Sequence, residues 1–149
     1  MPTDAQQAAF DKTAKMYFVA VDFDGTIVDH RYPDIGMEVP GAMMWLREFQ
    51  KHGASLILYT MRQDQHCDEA VEWCRERGVE FWAVNDNPTQ KAWTDSRKIY
   101  AHVYIDDAAA GCPLRPSPRM GGRPMVDWYK TGPLVLDRVM NAQEQNDAG

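Results

Sequence analysis

The chain is poor in cysteine, in basic charge and in long apolar runs. Cys67, Cys74 and Cys112 are the only cysteines in 149 residues, and no CxxC spacing occurs. An odd, scattered set excludes a disulfide scaffold, and the three are expected to be reduced and buried, as in a cytoplasmic protein. No stretch nears the ~20 apolar residues of a membrane-spanning helix. The N-terminal MPTDAQQAAFDKTAK lacks the basic start and apolar run of a secretory signal. Lys plus Arg number 16 against 22 Asp plus Glu, a formal charge of -6, which disfavours a surface that coats DNA. His52, His66 and His102 lack the spacing of a zinc site. Internal repeats and low-complexity segments are absent.

What is present fits one ordinary globular domain, with 44% hydrophobic and 26% charged residues and enough length for one core. Residues 1–15 read as a flexible arm or short helix, 16–142 as a single domain and 143–149 as a disordered tail. Charge is uneven. Residues 1–95 carry 9 basic and 16 acidic groups, residues 96–143 carry 7 and 4, so any anion-attracting surface is expected in the second half.

Apolar runs end repeatedly in polar residues. Met16–Val21 reads as a central strand running into Asp22-Phe-Asp-Gly-Thr26. Ala42, Leu46 and Phe49 form the stripe of a helix that Pro40 introduces and Gly53 stops. Residues 54–59 give a second strand ending at Thr60. Asp64 is expected to cap a helix reaching about Arg77, with Cys67, Ala70, Val71 and Cys74 on its buried face. Residues 79–84 read as a third strand, 89–98 as a short helix and 102–105 as a fourth strand ending in Asp106-Asp107. A long Pro/Gly-rich loop over 108–126 follows, then a short helix around Leu134, Val135 and Val139. This alternation predicts an α/β fold: a Rossmann-like three-layer sandwich with a mostly parallel central sheet. Ligands of such sheets bind beyond the carboxyl ends of the strands.

Those ends carry the chemistry. Asp22 and Asp24 offer hard oxygen ligands for Mg²⁺, and Gly25 allows a sharp turn with close approach of a phosphate to backbone amides. Asp106 and Asp107 repel one another unless a cation or hydrogen bonds compensate them, and a metal shared with Asp22 supplies that. A hydroxyl at Thr60 can hold a phosphoryl oxygen. A cation is needed to balance the phosphate, from Lys98 or Lys91, with Lys98 preferred because it lies four residues before the fourth strand. Arg62 could bind a second anionic group. Asn85 and Asp86 could line the pocket, and Thr26 belongs to the same loop. His30 and Arg31 could touch a leaving group but read first as a solvent-exposed pair, and Arg115, Arg119 and Arg123 could guide a phosphate-rich substrate but read first as solvated loop charges.

In these residues the chain resembles the haloacid-dehalogenase-like (HAD) phosphohydrolases. DFDGT (22–26), LYT (58–60), a lysine (Lys98 or Lys91) and IDD (105–107) match that family's four motifs in order. The resemblance implies Asp22 as nucleophile, Asp24 as general acid and base, and Thr60 with Lys98 holding the phosphoryl group. It implies Mg²⁺ held by Asp22, Asp24 (through its carbonyl) and Asp106, with Asp107 also at the metal. Only about 14 residues separate Thr26 from the next helix and about 19 separate Thr60 from Val79, so the likeness is to the capless type.

The expected activity is Mg²⁺-dependent phosphomonoester hydrolysis through an aspartyl-phosphate. The alternatives are a polynucleotide-end phosphatase or nucleotidase, and a phospho-accepting receiver-like signalling domain. Receivers end their third strand in the acceptor aspartate, which this chain lacks. The expected partner is a phosphorylated substrate, either a small molecule or an exposed macromolecular end. A membrane is not expected, nucleic acid is left open, and a homo-oligomer would suit an uncovered site.

Overall fold

The computed structural model describes residues 1–148. In chain order it comprises α1 (Asp4–Ala14), β1 (Tyr17–Val21), α2 (Ala42–Lys51), β2 (Ala54–Leu58), α3 (Asp64–Arg75) and β3 (Ala83–Val84). A 3-10 helix (Pro88–Ala92), β4 (Val103–Ile105), β5 (Leu114–Pro116), β6 (Pro124–Val126) and α4 (Trp128–Ala148) complete it. β1 to β4 form a parallel sheet in the order β3-β2-β1-β4. The expected α/β architecture is therefore present, with the most apolar strand, β1, inside the sheet.

Alternation along each strand sorts the two faces. Val19, Val21, Leu56, Leu58, Val103 and Ile105 point into the main core. There they meet Ala42, Leu46 and Phe49 of α2, Ala70 and Cys74 of α3, and Val135 and Val139 of α4. Phe18, Ala20 and Ile57 face the other way, under Ile99, Tyr100 and Ala101. From that face aromatic contacts run outward: Phe18 to Tyr100 (5.9 Å), Tyr100 to Trp93 (5.5 Å) and Trp93 to Phe10 of α1 (5.8 Å). α1 starts at a capping box between Thr3 and Gln6 that satisfies backbone donors at its first turn.

Several local expectations need correction. Asp64 is not the cap of α3. Gln63 is the last extended residue, and Asp64 is the first helical one, at φ 50°. The third strand keeps only Ala83 and Val84; ahead of it the Glu80 amide donates to Gln50 Oε1 (2.8 Å) instead of to the sheet. Of the cysteines, only Cys74 is buried, and all three are free. The last helix runs from Trp128 through the residues read as a tail, up to Ala148. Gly132 sits inside α4, where any Cβ would lie 2.2 Å from Trp45. Close packing here outweighs helix propensity. Near the other end of α4, Asn146 donates to the Lys15 carbonyl (2.8 Å). Among the described residues no helix is long and apolar enough to cross a membrane.

The connections that could hold a large insertion are short. The segment between β1 and α2 contains turns and two single bridges, Asp24–Val28 and Val28–Glu38. The Pro/Gly-rich loop is built around the antiparallel hairpin β5–β6 and fastened to that same segment. The Val126 amide donates to the Gly25 carbonyl (3.1 Å) and Trp128 Nε1 to the Thr26 carbonyl (2.7 Å). Asp29, only 1% exposed, accepts from Ser117 Oγ (2.9 Å) and Arg119 Nε (2.6 Å). Arg119 is therefore no free loop charge.

A buried carboxylate that loses its cation is left uncompensated. Arg119→Ala is expected to lower stability by about 3 kcal/mol, and Ser117→Ala by about 1 kcal/mol. Urea unfolding midpoints measure both, and equal small losses would contradict the ion pair as the main tie.

Candidate active site

Register brings the acidic residues together. Val21 pairs with Ile105 and with Leu58, so the next residues, Asp22, Asp106 and Tyr59, leave the sheet side by side. The ladder continues one step further, with the Asp22 amide on the Ile105 carbonyl (2.9 Å) and the Tyr59 amide on the Val21 carbonyl (2.8 Å). Asp22 continues the face of Phe18 and Ala20, and Asp106 the face of Tyr104. Asp107 joins them from the following turn. One carboxylate oxygen from each of Asp22, Asp106 and Asp107 lies within 4.8 Å of the others.

Three carboxylates in so small a volume are costly. Burial, then the charge of Asp106 and contact with Asp107, push the Asp22 carboxyl from its ordinary 3.8 to about 8. Asp106 is also raised, first by burial, although the Ala108 amide on its Oδ1 (2.9 Å) opposes the shift. The Thr26 hydroxyl donates to Asp22 Oδ2 (3.0 Å) and accepts from the Asp107 amide (3.2 Å). His30 Nε2 lies 3.0 Å from Asp107 Oδ2. The donor set suits a divalent metal ion: hard oxygens, under-compensated negative charge and an orienting partner on an outer oxygen.

Asp24 stands apart from that cluster. Its carboxylate is gripped by Arg62, with Nε on Oδ2 and Nη2 on Oδ1, both at 2.8 Å. Arg62 is 2% exposed. It also donates to the carbonyls of Pro33 (3.0 Å) and Asp34 (2.7 Å). Its guanidinium carbon lies 5.0 Å from the Phe23 ring centre and 5.1 Å from that of Tyr32. Such a fork matches a carboxylate in direction as well as charge.

Other expected residues have been given different tasks. Arg62 is not open to an outside anion, because burial and Asp24 occupy it. Thr26 is fully buried and orients Asp22, so it cannot touch a substrate. The Gly25 amide is already used on the Val28 carbonyl (2.7 Å), so it is not a free phosphate donor. Glycine is nonetheless required there. Its φ is 84°, and a Cβ would lie 2.1 Å from His30 Nε2 and 2.7 Å from Asp107 Oδ2. Asn85 braces Thr60, accepting from its amide (2.8 Å) and donating to its carbonyl (2.9 Å), and lines a cavity with Asp86 and Lys91. The Thr60 hydroxyl accepts from the Arg62 amide (3.1 Å). Lys91 is 3.6 Å from Asp86 at the surface. Lys98 instead lines a cavity of about 330 Å³ shared with Tyr59, Tyr104 and Asp106. His30, set aside as solvent-exposed, proves to be a member of the site. Its place just after the first motif hinted at the site, but its partner Asp107, 77 residues away, left no local signal.

A solved structure of a conserved protein from Bacteroides thetaiotaomicron is 39% identical to this chain, with a TM-score of 0.67 over 83% of this chain and 92% of that one. The chain belongs to the same family as that protein. A magnesium, phosphate and KDO complex of 3-deoxy-D-manno-octulosonate 8-phosphate phosphatase from Moraxella catarrhalis is 14% identical. Its TM-score is 0.33 over 95% of each chain, a likeness too slight to bear on fold or activity. No family model matches the chain, and no curated protein does. Within the Bacteroides protein's family, this site is therefore described by its own geometry.

The raised Asp22 carboxyl has a stability consequence. Its folded value of about 8 exceeds the ordinary 3.8, so the fold holds the proton more tightly than the unfolded chain does. Without metal, stability is lost as pH climbs from about 4 through about 8. Asp22→Asn is expected to raise the Tm in EDTA, by about 1–3 kcal/mol of stability at pH 8 and much less near pH 4. Added Mg²⁺ is expected to stabilise the unmodified protein more than the variant. Calorimetry at the two pH values tests this, and a variant less stable at pH 8 would contradict it.

Proposed function

We propose that the chain is a Mg²⁺-dependent phosphomonoester hydrolase of the haloacid-dehalogenase-like superfamily, of the capless type. The observation that carries this reading is the meeting of Asp22, Asp106 and Asp107 within 4.8 Å at adjacent parallel strand ends. Four sequence motifs in the right order support it. Bound by those three carboxylates, Mg²⁺ would neutralise repulsion between the phosphate and the attacking aspartate.

The protein's own residues supply the rest. An Asp22 oxygen attacks phosphorus, and the bond to the leaving oxygen breaks. The Thr26 hydroxyl holds the other Asp22 oxygen, which fixes the direction of attack. Asp24 gives a proton to the leaving oxygen, then takes one from the water that attacks the aspartyl-phosphate. That second attack releases inorganic phosphate and restores the Asp22 carboxylate. Both Asp24 oxygens accept from Arg62, and a guanidinium offers donors only. Carrying a proton therefore requires one of these two bonds to open, and Arg62 keeps the carboxylate aligned between turnovers. Thr60 and Lys98 are assigned to the phosphoryl oxygens. Asn85 fixes the backbone at Thr60, and the cavity below Asp106 contains Lys98. The medium implied is a reducing cytoplasm, in keeping with three free thiols.

Release of phosphate from p-nitrophenyl phosphate is expected to require Mg²⁺ and to fall at least a thousandfold in Asp22→Asn. Lys98→Ala is expected to lose roughly a hundredfold in kcat and Lys91→Ala less than threefold. Steady-state kinetics over a panel of sugar phosphates, nucleotides and aryl phosphates tests the reading. Turnover equal to that of Asp22→Asn across the whole panel would overturn it.

A further inference from the structure

We propose that Tyr32 is the platform on which the leaving group rests, and that the preferred substrate carries a planar aromatic ring close to the scissile phosphate. This rests on the hydrolase reading, in which the leaving oxygen lies beside Asp24. Arg62 grips Asp24 on one side and lies under the Tyr32 ring on the other, at 5.1 Å. Ring and carboxylate are therefore neighbours across a single guanidinium.

The ring is anchored although it is open to solvent. Tyr32 is 58% exposed. The two residues that follow it are tied to Arg62 through the Pro33 and Asp34 carbonyls. His66 of α3 meets the ring edge-on at 5.5 Å and 72°. A large aromatic side chain held from beneath and from the side, and left uncovered beside the proton carrier, is a stacking surface already in position. Aromatic stacking on such a surface selects ring shape with little demand for specific hydrogen bonds.

The test compares kcat/KM in two matched pairs: benzyl phosphate against cyclohexylmethyl phosphate, and adenosine 5′-monophosphate against ribose 5-phosphate. In each pair the departing oxygen belongs to an aliphatic alcohol, and the members differ in the aromatic ring. The aromatic member is expected to be favoured about tenfold. Tyr32→Leu and Tyr32→Ala are expected to bring the ratio near one, and Tyr32→Phe to keep it. Because the readout is a ratio, a general loss of rate from a loosened Arg62 cancels. Preference in the first pair alone identifies a simple arene, and preference in the second identifies a nucleobase. Either supports the proposal. Ratios near one in the unmodified protein, or a ratio that survives Tyr32→Leu, overturn it while the hydrolase reading stands. No turnover of any of the four substrates, with no more phosphate release from p-nitrophenyl phosphate than Asp22→Asn shows, overturns both.

Discussion

Repulsion among Asp22, Asp106 and Asp107 is the constraint around which the rest of the molecule is arranged. Parallel pairing of β1 with β4 forces Asp22 and Asp106 out of the sheet together, and the turn adds Asp107. Left alone, such a cluster sheds charge by taking up protons: burial first, and then the charge of Asp106, push Asp22 up to about 8. The surroundings reduce this cost without abolishing it. The Thr26 hydroxyl, the Ala108 amide and His30 each touch one of the three carboxylates. What remains is a standing deficit of positive charge at the carboxyl end of the sheet, which is the property a cation site requires.

Two arginines keep the acidic loop in shape from opposite directions. Arg62, near the end of the β2–α3 connection, grips Asp24 and the backbone at Pro33 and Asp34. Arg119, from the Pro/Gly-rich loop, grips Asp29. Between these two anchors the backbone carbonyls of Gly25 and Thr26 accept from Val126 and Trp128. The segment after β1 lacks a ladder of its own beyond two single bridges, so side chains remote in sequence supply its rigidity. The same ties explain why a loop so rich in proline and glycine is ordered: each of its hairpin strands leads into a contact with the segment between β1 and α2.

Much of the framework could be read directly. Apolar runs ending in polar residues located β1, β2 and β4, and the stripe of Ala42, Leu46 and Phe49 located α2 with its core face. The acidic strand ends were legible because each follows directly on an apolar strand, and ligands of such sheets bind beyond the carboxyl ends of the strands. Elsewhere local rules lost to packing. The last helix read as short with a disordered tail, yet α4 starts at Trp128, runs through Gly132 and Pro133 with Trp45 packed against Gly132, and extends to Ala148. Val79 to Trp82 read as strand, but Gln50 takes the Glu80 amide. Arg62, Arg119 and Thr26 read as surface or ligand-facing groups because a sequence shows charge and polarity but not burial.

By itself, the sequence determined which residues could form a parallel sheet and that its carboxyl ends would carry aspartates, since strand periodicity and side-chain chemistry are local properties. Only the tertiary structure decided how those groups are shared out. It set Asp22, Asp106 and Asp107 around one point, sent the Asp24 carboxylate to Arg62, buried Thr26 as a brace and brought His30 to Asp107 across 77 residues. Hydrogen bonds and Coulomb forces act over a few ångströms of space whatever the separation along the chain, and that space exists only once the strands are in register.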